Sequence, residues 1–190
     1  MKIEIQLNKK SIQNAIKVLN QQKKILTDKA IPEYLEKSAE WIQNRANEIL
    51  EQSDIGADVK RWISKAWTKE WVDKNHLKLI NYSWKACYVE FGVGIIGQGN
   101  AHPNPNETNW KYNLPTDKKD SQGGWIFAVK DEGKLDIPQE AILEQINIDN
   151  DISVYTKGTQ GVWFLFNAME DFKLTKAQSL WEEIKKKYWG

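Results

Sequence analysis

Apolar side chains recur at helical spacing at both ends of the chain. After Asn8, a residue type suited to a helix N-cap, Ile12, Ile16, Leu19 and Leu26 return with Lys and Gln between them, which predicts a helix presenting a narrow apolar line to a core. A second helix is expected to open at Pro32, which tolerates the first turn because it has no N–H to satisfy. It continues through Leu35, Ala39, Ile42, Ala46, Ile49 and Leu50, and Ser53, Asp54 and Gly56 stop it. From Val59 the period shortens. Residues 62–71 and 76–81, either side of Asp73-Lys74-Asn75, predict an antiparallel hairpin. A helix over 62–71 stays open as the alternative, because Trp62, Ala66 and Trp71 can share one face.

Residues 84–91 form a short amphipathic element of one or two helical turns. Residues 92–124 collect glycines and prolines and read as a long irregular loop, of the kind that is functional or mobile. A strand is expected at 125–129, a short helix at 138–146 and a strand at 152–156. Residues 162–172 are apolar nearly all round, and 174–188 are amphipathic through Leu180, Trp181 and Ile184, which predicts a helical end. The sum is an α+β fold: N-terminal helices, a small mostly antiparallel sheet and C-terminal helices. It is expected as one domain over residues 1–190, with a helical part at 1–56, a sheet core with long loops at 57–172 and a terminal helix at 173–190.

Charge changes this picture more than composition does. The 190 residues carry a formal net charge of +1, so no overall field draws the chain to nucleic acid or an anionic membrane, and no sequence-specific nucleic-acid partner is expected. Yet residues 1–30 hold seven lysines against Glu4 and Asp28, a net of +5, while residues 107–151 hold five lysines against ten acids, a net of −5. Such polarity suits either a solvated helix face plus an acidic loop, or head-to-tail assembly in which the basic arm of one copy meets the acidic stretch of another. No apolar run approaches the roughly 18 residues of a membrane span, and the first residues lack a signal-type apolar stretch, so no membrane partner and no export are expected. A single cysteine, Cys87, and two histidines, His76 and His102, leave no disulfide framework, no cysteine zinc site and no histidine-rich cluster, so no metal and no cofactor are expected.

Several motifs resemble chemistry until their context is weighed. Gly92-Val93-Gly94-Ile95-Ile96-Gly97 matches the dinucleotide fingerprint letter for letter, but the following Gln98 to Pro105 stretch cannot continue the helix that fingerprint needs. These glycines are expected to serve positive φ in a flexible loop. Asn147, Asp149 and Asp151 alternate like calcium ligands but lack the loop's glycine and closing glutamate, so a turn held by Asx side chains, between helix and strand, is the better reading. Cys87 and a histidine could in principle form a nucleophilic pair, yet Cys87 sits beside Tyr88 and Phe91 on an apolar helix side and reads as a buried structural residue. Glu90, between aromatics, is expected to accept backbone N–H groups of the following glycine-rich loop. The ten tryptophans lie mostly in apolar periodic segments, such as Trp41, Trp125, Trp163 and Trp181, and suit core or subunit-contact roles more than sugar or base stacking. No catalytic constellation emerges, and the chain is expected not to be an enzyme.

One ordered set of segments carries a family resemblance. Tyr88-Val89-Glu90-Phe91-Gly92-Val93-Gly94, then Gly97, His102-Pro103, Trp110-Lys111-Tyr112, Gly124-Trp125-Ile126-Phe127, and Thr156-Lys157-Gly158 leading into Phe164 to Ala168, resembles the head-tail joining, or tail-completion, proteins of long-tailed bacteriophages. The resemblance spans residues 84–172. Val93 stands where that family usually has threonine, and the acidic insert at 130–151 departs from its compact members. The resemblance implies a non-enzymatic subunit of the virion neck, between portal and tail. It implies assembly with itself as a homo-oligomeric ring, a hexamer being one candidate, and contact with neighbouring tail-terminator, head-closure and tail-tube proteins. On this basis Glu90, Phe91, Gly92 and Gly94 would shape the base of a loop, and residues 97–112 would touch a partner.

Overall fold

A computed structural model describes residues 9–103, 122, 124–129, 144–148 and 151–190 of the chain. Helix α1 (Lys9–Ile25) passes through a π-turn (Leu26–Ala30) into α2 (Ile31–Gln52), and α3 (Ala57–Ser64) follows. Strands β1 (Trp67–Asp73) and β2 (His76–Asn81) pair, then α4 (Trp84–Phe91), β3 (Gly92–Val93) and α5 (Gly94–Gly99) follow without a break. Strands β4 (Trp125–Val129), β5 (Glu144–Ile148), β6 (Asp151–Thr156) and β7 (Gly158–Gln160) precede α6 (Phe164–Asp171), a second π-turn (Phe172–Lys176) and α7 (Ala177–Trp189). The architecture is α+β, with helices at both ends and antiparallel sheets between them. The described residues fall into two compact units that interleave along the sequence. One draws on Met1–Asn44, Lys69–Ile80 and Met169–Gly190, the other on Arg45–Thr68 and Asn81–Ala168.

The first unit is built on the two π-turns. Ala30, Phe172, Leu180 and Ile184 are buried together, with Leu26, Tyr34, Trp41, Ile42, Trp181 and Tyr188 packed around them. Tyr34 meets Trp181 edge-on at 5.6 Å, and Trp41 lies tilted against Phe172 at 5.6 Å. The first π-turn also explains Pro32. Inside a helix the proline ring presses on the carbonyl four residues earlier, and the widened turn over Leu26–Ala30 gives it room. The expected break between two helices is therefore a change of winding, and Pro32 is the second residue of α2.

The face that α1 turns inward differs from the expected one. Ser11, Ala15, Val18, Gln22 and Ile25 form the less exposed line, while Ile12, Ile16 and Leu19 are 43%, 52% and 55% exposed. Trp189 Nε1 donates to Gln22 Oε1, so a polar tether and the small Ala15 set the helix rotation where three aliphatics would have set another.

Glu33 closes this unit electrostatically. Its carboxylate accepts from Lys187 Nζ at 2.7 Å and Tyr188 Oη at 2.8 Å, and pairs with Lys37 at 3.0 Å. The Lys187 hydrogen bond, then that of Tyr188, hold the Glu33 carboxyl down at about 2. The same contacts raise Lys187 and Tyr188.

In the second unit Ala46, Leu50, Val59, Ile63, Ala86, Val89, Phe164 and Ala168 are buried. Helix α2 stops where expected: Ser53 Oγ donates to Leu50 O at 2.6 Å, and Lys60 Nζ donates to Glu51 O at 2.8 Å and Ser53 O at 2.6 Å. These donors satisfy carbonyls left open at a helix end. Trp67 Nε1 donates to Asn47 Oδ1 at 2.9 Å, and its ring meets Phe164 edge-on at 6.3 Å. The three-stranded sheet runs β4-β6-β5, with Trp125 opposite Thr156 and Glu144 opposite Tyr155.

Three expectations need correction here. The hairpin forms, but its first strand starts at Trp67, because α3 takes Trp62 into a helix; that tryptophan is 62% exposed. The helix expected at 138–146 is a strand from Glu144 onward, since Ile146 and Ile148 alternate with Gln145 and Asn147 in β5, which pairs with β6; residues 138–143 lie outside those described. The Asx-rich segment consequently connects two strands instead of a helix and a strand.

Glu33→Gln is expected to lower stability by about 1 kcal/mol at pH 7, given lysine partners that are partly solvent-screened. Because folding depresses this carboxyl from 4.5 to about 2, its contribution is complete above pH 4.5 and fades as the pH falls toward 2. Urea unfolding of both proteins across that range should show the gap closing on the acid side. A constant gap would refute the assignment.

Candidate functional site

The described segments that carry the family resemblance lie in the second unit. Asn81 prepares the entry: its Nδ2 donates to Ile63 O at 2.8 Å and its Oδ1 accepts from Ser83 N at 3.0 Å, just before α4. Helix α4 turns Ala86, Val89 and Glu90 inward. It ends at Gly92, which takes φ 75° and ψ 176°, a backbone region open essentially to glycine alone.

There the chain crosses β7 at backbone contact distance. Gly92 pairs with Gln160 and Val93 with Thr159, and a further bridge joins Gly94 to Gly158. A Cβ on Gly94 would sit 2.3 Å from Lys157 O, one on Gly158 1.9 Å from Val93 O, and one on Gly161 2.6 Å from Glu90 O. Each obstacle is backbone, so no rotamer change relieves it. Thr156, buried, accepts Gly158 N at 3.0 Å through its hydroxyl, which shapes the turn into β7, and Ile96 N donates to Lys157 O at 3.4 Å.

Glu90 locks the crossing to α6. Val162 N donates to Val89 O at 2.7 Å and Trp163 N to Glu90 O at 3.2 Å. The Glu90 carboxylate then accepts Leu165 N at 2.8 Å on one oxygen and Phe166 N at 2.9 Å on the other. These are open N–H groups of the first turn of α6, where a negative charge is stabilised by the helix dipole. His102 Nε2 lies 3.1 Å from the same oxygen that Phe166 reaches, and both side chains are buried. Its ring is boxed by Phe91 at 4.7 Å, Phe166 at 5.1 Å and Trp163 at 6.3 Å. Trp163 itself holds φ 54°, uncommon for a side chain of this size, and its buried Nε1 has no acceptor among the described residues.

The structure thus assembles Glu90, Phe91, Gly92, Gly94, Gly97, His102, Thr156, Lys157 and Gly158. Gly124 and Trp125 enter β4 alongside: Trp125 pairs with Thr156, and a Cβ on Gly124 would sit 2.3 Å from Tyr155 Oη. Tyr88 is not part of the cluster; it is exposed beside Trp84, with the rings edge-on at 5.5 Å. Pro103 is exposed, and Trp110 and Tyr112 lie outside the described residues.

Several expectations change. Glu90 does accept backbone N–H groups, but those of α6 and not of the glycine loop. The segment after Gly92 is no irregular loop at its start: Gly94–Gly99 is a short helix, even though Gly92 and Gly94 take positive φ as expected. Antiparallel pairing of β3 with β7 keeps it distinct from a dinucleotide fold. Gly97 and His102, placed by the sequence in a partner-facing segment, are buried within the chain. Cys87, expected to be buried, is exposed, because α4 turns its Ala86-Val89-Glu90 side inward.

Gly161 carried no expectation from the sequence, and Trp163, Leu165 and Phe166 were expected only as parts of an apolar helical stretch. Gly161 just ahead of the apolar helix was the available signal, a glycine where two backbones touch. Among the described residues no three His, Cys, Asp or Glu side chains gather as a metal site would require. What the arrangement does is mechanical: it ties a crossing of two distant segments to the N-terminus of α6. No protein-family model, no curated protein and no solved structure matches the chain.

Gly158→Ala and Glu90→Gln test the lock separately. Gly158→Ala is expected to cost more than about 3 kcal/mol, since φ 110° and a backbone overlap act together. Glu90→Gln removes charge-assisted bonds but keeps shape, for a loss of about 1–3 kcal/mol. Chemical denaturation reads both, and wild-type stability in Gly158→Ala would show that the backbones do not cross.

Proposed function

We propose that this chain is a non-enzymatic structural protein of the phage neck, joining head to tail or completing the tail as a homo-oligomeric ring. The observation that carries the reading is the meeting of the resembling segments. Thr156 to Gly158 is far in sequence from Tyr88 to Gly94 and the nearby His102, and each segment is weak alone. All but the first residue of that set converge on one backbone crossing and one buried carboxylate. Such a lock suits a subunit that must hold its shape while its outer loops order against neighbours.

In this reading its partners are copies of itself and the adjoining tail-terminator, head-closure or tail-tube proteins, and its place is the virion. No described helix is long and apolar enough to cross a membrane. Tail terminator and head-closure protein are the neighbouring roles within the same assembly.

A reading of another class, a glycan-binding module or small hydrolase, draws on the exposed Trp84 and Tyr88, with Lys85 Nζ 5.9 Å from the Trp84 ring centre. It gains nothing from Glu90, whose two oxygens are engaged inside the chain.

Electron microscopy of particles from a phage in which this gene alone is disrupted tests the role. Filled heads beside complete, unattached tails are expected. Intact virions would sink the neck reading, and a tryptophan fluorescence change on adding cell-wall glycan fragments would then favour the other.

A further inference from the structure

Helix α1 carries five lysines and no acidic residue over its 17 positions. Lys10, Lys17, Lys23 and Lys24 are exposed, and Ile12, Ile16 and Leu19 stand as an exposed aliphatic ridge at i, i+4, i+7 spacing. The opposite line, through Ala15, Val18 and Ile25, is the one turned inward, so the ridge is a second apolar face on the same helix. Scattered exposed aliphatics need no explanation, but three in line beside a row of like charges define a face that selects what covers it.

We infer that this ridge is the contact through which one copy of the chain receives the acidic stretch, residues 107–151, of a second copy. The inference rests on the ring reading and gives it an interface. Pairing of α1 with another α1 would set lysines against lysines. A membrane surface asks for a broad apolar face, and α1 has only three exposed aliphatics beside an inward-turned flank. Nucleic-acid phosphates would use the lysines but leave the ridge wet. The acidic stretch answers both demands. It carries ten acids against five lysines, and Leu135, Ile137, Ile142 and Leu143 stand among Asp131, Glu132, Asp136, Glu140 and Glu144. A basic face and an acidic stretch on one chain make a head-to-tail contact, the type that closes into a ring when its rotation allows.

A charge swap tests this with the full chain. One variant carries Lys17→Glu, Lys23→Glu and Lys24→Glu; the other carries Asp131→Lys, Glu132→Lys, Asp136→Lys and Glu140→Lys. In sedimentation velocity the wild type is expected to associate at low salt and to dissociate near 1 M salt, where the screening length falls to about 3 Å. Each variant alone is expected to be monomeric, and an equimolar mixture to associate again, because every junction in an alternating assembly is then complementary. Circular dichroism checks that both are folded. Ile16→Ser with Leu19→Ser, which leaves all charges in place, is expected to weaken association at least tenfold. A monomeric wild type, association of either charge variant alone, or a mixture that stays monomeric would each overturn the contact. Sedimentation reads the contact while microscopy of gene-disrupted particles reads the location, so either can fail without the other.

Discussion

The carboxylate of Glu90 is the interaction on which the second unit depends. A buried charge is tolerable only when its lost hydration is replaced, and here two peptide N–H groups of a helix N-terminus and one imidazole nitrogen replace it. The arrangement is reciprocal. Helix α6 gains acceptors for N–H groups that no earlier turn can satisfy, and α4 gains a fixed distance to α6. With Val89 O and Glu90 O also taken by Val162 N and Trp163 N, the last turn of α4 and the approach to α6 are joined by four backbone or carboxylate contacts. Any side chain between them would force that spacing open.

That spacing is why the glycines stand where they do. Gly92, Gly94 and Gly158 take positive φ, Gly92 directly after α4 and Gly94 at the start of α5, in backbone regions that glycine enters without a Cβ penalty. Conformational freedom alone does not account for Gly161, whose φ is not left-handed; it is required because a Cβ would meet Glu90 O and Trp163 Nε1. Two different physical demands thus place the same residue type within one crossing. The first two glycines of the match to a dinucleotide fingerprint follow from the crossing: close backbone approach needs glycine whether the neighbour is a pyrophosphate or another strand.

The sequence was most legible where a local signal decides the structure. The stop of α2, the turn at Asp73-Lys74-Asn75 and strands β4 and β6 all carry their cause in adjacent residues: Asp73 Oδ1 accepts Asn75 N at 2.7 Å, and the α2 stop is capped by Ser53 and by Lys60 a few residues on. It was least legible where a distant partner decides. The rotation of α1 depends on Trp189, far away in the chain, which no periodicity in Ile12, Ile16 and Leu19 encodes. Cys87 and Glu90 are three residues apart on one short helix, and only the position of α6 determines which of them turns inward. The π-turns were illegible for another reason: one inserted residue alters the winding without any composition of its own, and Pro32 gives the same local signal whether it starts a helix or follows a widened turn.

A resemblance carried by short motifs mixes two kinds of residue, and the structure separates them. Glu90, Gly92, Gly94, His102, Thr156 and Gly158 face the interior, so their chemistry preserves a shape. Tyr88 and Pro103, next to them in sequence, face outward, as do Trp84 and Cys87 on the same short helix. A change in an inward residue alters how the chain folds, and everything built from it suffers together. A change in an outward one alters what the folded chain can meet. Trp163 belongs to the first kind at a cost: a strained φ and a buried donor without an acceptor among the described residues persist only where surrounding contacts over-determine them. Glu90 and the glycine crossing supply that over-determination, because Trp163 N is held by Glu90 O and the residues on either side of it are tied to α4 and to the start of α6.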